Sequence, residues 1–241
     1  DRAGKHLRPH VKTHKCSALA RRQVEAGAIG VCVAKVSEAQ KLAAAGLSNI
    51  LITGPVVTPP KIERLLHILP DAPTLMVVVD SPAGVEVLAA ALAAKGLTID
   101  VLIDVDVGLN RTGVSPIEAP GLAELILKRP ALRLRGIQAY AGHAQHVSSY
   151  AARKRLSLAC LQKAVPVFRA LRAKVSTCDI FSSTGTGTAD IDLSVPEVTE
   201  MQVGSYVCMD TQYRSIGSAA NESEFATFGP ALRLLTTVVS A

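Results

Sequence analysis

The chain has 241 residues, enough for one large α/β domain and close to the usual length of a (β/α)8 barrel. Hydrophobic residues make up 49%, with much alanine, while aromatics reach only 3% and tryptophan is absent, which argues against an aromatic carbohydrate-binding or single-stranded nucleic-acid surface. The net charge of +6 comes from scattered basic residues, which disfavours nucleic-acid binding and fits ordinary solubility, with steering of an anionic ligand as a second reading. Cys16, Cys32, Cys160, Cys178 and Cys208 are odd in number and form no C-x-x-C pair, so reduced thiols and a cytoplasmic location are expected. No signal peptide and no membrane-spanning apolar run is read, so no membrane partner is expected; the chain opens almost inside its first strand, so an upstream segment is expected.

Strand-like apolar runs fall near Arg8–Thr13, Ile29–Ala34, Asn49–Thr53, Thr74–Val79, Thr98–Asp106, Leu132–Tyr140, Asp179–Ser183 and Thr199–Val203. Helical spacing lies between them over Ser17–Ala26, Ser37–Ala45, Pro60–Ile68, Ala83–Ala94, Ala119–Lys128 and Tyr150–Ala173, with Gly27, Gly46 and Gly96 where helices should stop. Continuously apolar strands alternating with helices predict a closed parallel (β/α)8 TIM barrel over residues 1–217. Residues 218–224 read as a linker. Residues 225–241, with the β-forming run Leu232–Val239, read as the first strand of a mostly-β second domain that the chain does not complete.

Catalytic groups of such barrels sit at the C-terminal ends of the strands. Lys12 ends the first strand and is the candidate for condensation with an aldehyde, because burial beside cations lowers an amine's pKa and frees its lone pair. Lys15 lies three residues on, where strand alternation turns it away, and Lys35 lacks polar company. The run Ser183-Thr184-Gly185-Thr186-Gly187-Thr188 and the turn Gly204-Ser205 offer backbone N–H groups and hydroxyls to a phosphate. Arg111 suits a phenolic oxygen, Tyr140 a flat ring, and His143 and His146 acid–base roles, each against the alternative of an ordinary loop or core residue. His14-x-Cys16 supplies two metal donors, too few for a site, and Asp104 and Asp106 are expected to accept loop N–H bonds.

The segment Arg8-Pro9-His10-Val11-Lys12-Thr13-His14-Lys15 resembles the cofactor-lysine motif of D-threonine aldolases and eukaryotic-type D-serine dehydratases, members of the alanine racemase-like, fold-type III pyridoxal phosphate (PLP) enzymes. The likeness continues through Asp106-Val107-Gly108-x-x-Arg111-x-Gly113, Gln138-Ala139-Tyr140-x-Gly142-x-x-Gln145-His146, Thr184-Gly185-Thr186-Gly187-Thr188 and Gly204-Ser205-Tyr206-Val207-x-Met209-Asp210, in order over essentially the whole chain. It implies a Lys12 aldimine, Arg111 on the phenolic oxygen, Tyr140 beside the ring, and Ser183, Thr184, Gly185, Gly204 and Ser205 on the phosphate. Gln202 stands where alanine racemases place an arginine against the ring nitrogen, which implies a neutral or weakly donating partner there.

The resemblance further implies a divalent cation, Mn2+ or Mg2+ with Zn2+ as a third option, bound by a His-x-Asp or His-x-Cys pair late in the second domain; those ligands are expected beyond Ala241. It also implies a homodimer that completes the site. The expected activity is retro-aldol cleavage of D-3-hydroxy amino acids, D-threonine giving glycine and acetaldehyde. A D-serine or D-3-hydroxyaspartate dehydratase shares every motif, and a non-catalytic PLP carrier is the alternative of another class.

Overall fold

The computed structural model describes residues 4–240, so the first three residues assigned to the barrel, and Ala241 at the end of the expected second-domain strand, lie outside the described residues. Eight strands alternate with helices in chain order: β1 (His6–Leu7), α1 (Ser17–Glu25), β2 (Val31–Val33), α2 (Val36–Ala44), β3 (Ile50–Ile52), α3 (Pro59–Ile68), β4 (Met76–Val79), α4 (Pro82–Ala93), β5 (Ile99–Asp104), α5 (Ala119–Leu127), β6 (Leu132–Ala139), α6 (Tyr150–Lys174), β7 (Ile180–Ser183), α7 (Ala189–Asp192), β8 (Glu200–Met201) and α8 (Thr211–Arg214). The strands pair in parallel in the order β1-β8-β7-β6-β5-β4-β3-β2. The ring closes between β1 and β2, where Ile29 N donates to Leu7 O and Cys32 N to Pro9 O, both at 2.9 Å. This is the expected (β/α)8 barrel.

Local chemistry explains the elements. In α4, Ser81 accepts from Gly84 N (3.2 Å), Pro82 occupies the first turn, and Val85, Leu88, Ala89 and Leu92 are buried at helical spacing. Gly46 and Gly96 take φ of +77° and +64° just after α2 and α4, where a side chain would be strained.

One expectation fails. The first strand is not Arg8–Thr13: regular pairing ends at Leu7, isolated bonds continue through Arg8 N to Met201 O and His10 N to Val203 O, and Val11–Thr13 is a 3-10 turn. Pro9 has no N–H for a ladder, and the His10 ring caps the turn instead. Among the described residues Leu232–Val239 pairs with no strand of the barrel, and Leu234, Leu235 and Val239 are at least 90% exposed. A β-forming run without a neighbouring edge leaves its backbone groups to water.

The strands are buried on both faces, in period two. Val31, Val33, Ile50, Ile52, Val77 and Val79 join the large cluster under the helices, whereas the alternate residues Cys32, Leu51, Met76, Val78, Leu102 and Ile180 form a second cluster inside the ring. Beside this inner cluster, Arg8 and Glu200 make a buried ion pair: Arg8 Nε donates to Glu200 Oε1 at 3.0 Å and Nη2 to Oε2 at 3.0 Å, while Nη1 donates to Asn49 O (2.5 Å). The guanidinium thereby ties β1 to β8 and to the approach of β3, across the closing seam. Among the described residues, no helix is long and apolar enough to cross a membrane.

An ion pair held this far from water tolerates loss of both partners better than loss of one, because a lone buried charge has nothing to replace its hydration. Arg8→Met is expected to lower stability by roughly 3–5 kcal/mol, and Arg8→Met/Glu200→Leu by clearly less. Denaturant unfolding of the three proteins measures this, and a double variant at least as unstable as the single one would refute it.

Candidate active site

At the C-terminal mouth of the ring four strands end in 3-10 turns: Val11–Thr13 after β1, Gly142–Ala144 after β6, Thr186–Thr188 after β7 and Ser205–Val207 after β8. Three of these turns, with the loop after β5, wall a cavity of about 270 Å³. That is near the lower end of small-molecule sites, fit for one compact cofactor and a small substrate.

Lys12 stands in this cavity because of His10. The His10 ring is buried, its Nδ1 accepts from Lys12 N (3.4 Å), and its Nε2 lies 3.0 Å from Thr53 Oγ1. Thr53 Oγ1 donates to Val33 O (3.1 Å), so the hydroxyl accepts from His10, and the proton sits on Nε2. Burial first, then the charges of Lys12 and Arg111, push the His10 pKa down to about 3, so the ring is neutral. The Lys12 side chain is solvent-accessible through the cavity mouth yet enclosed by protein around its stem. Loss of bulk water and the neighbouring Arg111 hold its pKa below the ordinary lysine value. Its Nζ lies 5.7 Å from the Tyr140 ring centre, and Arg111 Cζ lies 5.9 Å from the same centre. Burial raises the Tyr140 pKa, so the phenol stays protonated.

Arg111 is carried by a loop that folds back on β5. Val114 N donates to Asp104 O, Asp106 N donates to Val114 O, and Asp106 Oδ1 accepts from Gly108 N (2.9 Å) and Asn110 N (3.1 Å). Asp106 therefore accepts loop N–H bonds as expected. Asp104 differs: it accepts side-chain bonds from Thr112 Oγ1 (2.7 Å) and Gln138 Nε2 (2.9 Å), and burial raises its pKa.

The floor is a connected amide layer. Gln138 Nε2 donates to Thr53 O as well as Asp104, which leaves Gln138 Oε1 to accept from Gln202 Nε2 (3.0 Å). Gln202 Nε2 also donates to Ser182 Oγ (2.9 Å). Both amide hydrogens of Gln202 are thus engaged by protein, and the group it has left for a ligand is its oxygen. Gln202 is the neutral group expected at this place, with its amide hydrogens turned to protein partners.

In the same cavity as Lys12, the N–H groups of Gly185, Thr186, Gly204 and Ser205 have no hydrogen-bond acceptor among the described residues, and all four residues line the cavity. Four such donors in a cavity that also holds the two cations Lys12 and Arg111 suit a dianionic group. Thr184, just before them, has φ of +79°, an uncommon value for a β-branched residue, and its buried hydroxyl lies near Asp192 without a well-formed bond.

Of the residues singled out from the sequence, Lys12, Arg111, Tyr140, His146, Gly185, Gln202, Gly204 and Ser205 meet in the cavity. Three do not line it. His143 turns away, its Nε2 3.5 Å from Cys160 Sγ on α6; Ser183 donates its hydroxyl to Ala139 O (2.5 Å); Thr184 is buried behind the turn. His14 and Cys16 form a local turn in which Cys16 N donates to His14 Nδ1 (3.1 Å). Lys15 pairs with Glu38 at 3.5 Å, and Lys35 precedes α2 outside the cavity. Sequence reasoning missed His10, Thr53, Gln138 and Tyr213, which line the cavity too. For His10, Thr53 and Gln138 the available signal was their place at strand ends, and for Tyr213 there was none.

A profile of the alanine racemase N-terminal domain matches residues 1–212. A D-threonine aldolase of Arthrobacter sp. is 37% identical over 100% of this chain and 62% of its own length. A D-threo-3-hydroxyaspartate dehydratase of Delftia sp. (strain HT23) is 32% identical over 99% of this chain and 62% of its own length. The crystal structure of a D-threonine aldolase from Filomicrobium marinum superposes with a TM-score of 0.84 at 38% identity, covering 88% of this chain and 57% of that one. The chain thus spans less than two thirds of these relatives.

Two tests follow from the geometry. Removing the Arg111 charge should raise the Lys12 pKa, so Arg111→Met is expected to move the pH midpoint of Lys12 labelling by an amine-reactive probe upward; an unchanged or lower midpoint contradicts the assignment. Burial lifts Asp192, which accepts from Ser157 Oγ and Thr188 Oγ1 (2.6 Å each), to about 6. A folded-state pKa raised above the unfolded value of about 3.9 means that the folded state holds the extra proton between the two. Stability should then fall by roughly 3 kcal/mol as pH rises from about 4 to about 6, a slope that Asp192→Asn lacks. Parallel denaturation profiles for the two proteins across that window would contradict this.

Proposed function

The chain belongs to the alanine racemase N-terminal domain family, and on that premise we propose that it forms the cofactor-binding barrel of a PLP-dependent lyase that cleaves D-3-hydroxy amino acids, D-threonine giving glycine and acetaldehyde. The observation that carries this is the meeting, in one cavity, of a lysine amine with a lowered pKa and four backbone N–H groups without acceptors. The likeness to the Arthrobacter aldolase supports the choice of reaction.

The residues fit the cofactor. Gly185, Thr186, Gly204 and Ser205 would hold its phosphate, Arg111 its phenolic oxygen by a charge-assisted bond, and Tyr140 would flank its ring. PLP, once bound, supplies an aldehyde that a lysine amine captures and a conjugated ring that draws electrons from the substrate's α-carbon. Lys12 serves as that amine because burial and Arg111 favour its neutral form. His146, beside Tyr213 at 4.3 Å between ring centres, would accept the proton of the substrate's β-hydroxyl oxygen. Breaking the Cα–Cβ bond would release the aldehyde and leave the electron pair at the α-carbon, and Lys12 Nζ, having taken up the proton of the substrate's ammonium group, would give it to that carbon to form glycine. His143, on the far side of Gly142–Ala144, takes no part.

The proposal includes a homodimer, and a divalent cation, Mn2+, Mg2+ or Zn2+, whose ligands would lie beyond Ala241. The Delftia relative favours a second reading, dehydration of a D-3-hydroxy amino acid. Asp210 lines the cavity, and its carboxylate opposes a substrate with a second carboxylate, which supports a substrate with an uncharged side chain.

With PLP and Mn2+ supplied, D-threonine should yield glycine and acetaldehyde while L-threonine does not. Ammonia and a keto acid as products would move the assignment to the dehydratase. Lys12→Ala should abolish both turnover and borohydride fixation of the cofactor to the chain; fixation that survives the substitution refutes the role of Lys12.

A further inference from the structure

Arg153, near the start of α6, is fully buried and has no carboxylate partner among the described residues. Carbonyls surround it instead: its Nε donates to Gly187 O (2.7 Å), Nη1 to Val147 O (2.6 Å) and Ser148 O (3.3 Å), and Nη2 to Gly217 O, with the Tyr150 ring centre 5.5 Å away. A buried cation that hydrogen-bonds only to main-chain carbonyls, with Asp190 and Glu222 acting on it from a distance, persists where the segments supplying those carbonyls are held together. Those segments are the 3-10 turn after β7, the loop after β6 and the chain leaving β8.

Gln145 grips the same turn from the other side. Its Oε1 accepts from Gly187 N (3.0 Å), and its Nε2 donates to Thr188 Oγ1 (3.1 Å) and Ala141 O (3.2 Å). A Cβ on Gly187 would fall 2.1 Å from Gln145 O, and one on Gly185 would fall 2.3 Å from Gln145 Oε1. Both peptide groups of Gly187 are therefore pinned, one through its N–H and one through its carbonyl, and neither Arg153 nor Gln145 lines the cavity.

We propose that Arg153 and Gln145 are positioning residues that set the anion subsite, fixing the turn so that the free N–H groups of Gly185 and Thr186 converge with those of Gly204 and Ser205. The proposal rests on the PLP reading of the cavity. It assigns to the pair the recognition of the phosphate alone; capture of the aldehyde by Lys12 lies outside their reach.

Titration of the cofactor-free full chain with PLP and with pyridoxal, which lacks the phosphate, separates these roles. Arg153→Lys and Gln145→Leu should each weaken PLP binding about tenfold or more while changing pyridoxal binding less than about twofold. A folded variant that binds PLP like the wild type, or loses both compounds equally, overturns the proposal. Should Arg153→Lys fail to fold by circular dichroism, Gln145→Leu decides by the same criterion, and collapse of both makes the role structural and overturns the proposal as well. Failure of the wild-type chain itself to capture PLP through Lys12 would instead sink the cofactor reading.

Discussion

The main-chain carbonyl of Thr53 accepts from Gln138 Nε2, and a carbonyl can only accept, so Gln138 must turn its own oxygen toward Gln202. The sense of the amide layer follows from that: Gln202 spends its hydrogens on Gln138 and Ser182, and an oxygen is left for whatever enters from above. The same residue, through its hydroxyl, holds His10 in the Nε2-protonated form, and His10 caps the turn that carries Lys12. Thr53 thus sets both the floor of the cavity and the entry point of its amine. Buried networks of this kind are stable only when every member is paired, which makes them rigid supports for chemistry.

The strand regions and the barrel were legible because burial on both faces leaves a plain mark, an apolar run of limited length followed by a helical pattern. The cavity was legible at Lys12, Arg111, Gly185 and Gly204, because barrel chemistry gathers at strand ends and because glycine and charge are conspicuous there. The exact course at the rim was not. Pro9 broke the first strand early, and the 3-10 turn brought Lys12 to the cavity by a route that strand alternation does not describe. His143 and His146 could not be told apart, since a shift of three positions within a short turn decides which ring faces the cavity and which packs against Cys160. Gln145 entered only as one letter of a motif, and Arg153 had no signal at all: its partners are carbonyls, which every residue possesses.

Stability and chemistry draw on different layers of the ring. The apolar inner cluster and the Arg8–Glu200 pair join the strands across the closing seam, and nothing in that pair reaches the cavity. Above it, the amide layer is polar but satisfied, and at the rim lie the four donors without protein acceptors. Hydrogen-bonding capacity left open thus increases toward the mouth, as expected where a fold must finish its own pairing before offering groups to a ligand.

The apolar cluster and ion pair also stopper the ring from below. Among the described residues, Lys12 is therefore approached from the mouth of the ring, and whatever forms there leaves toward the same side. For a reaction that splits one substrate into two fragments, this imposes a queue: the smaller fragment must clear the threshold before the second is released and a fresh substrate enters.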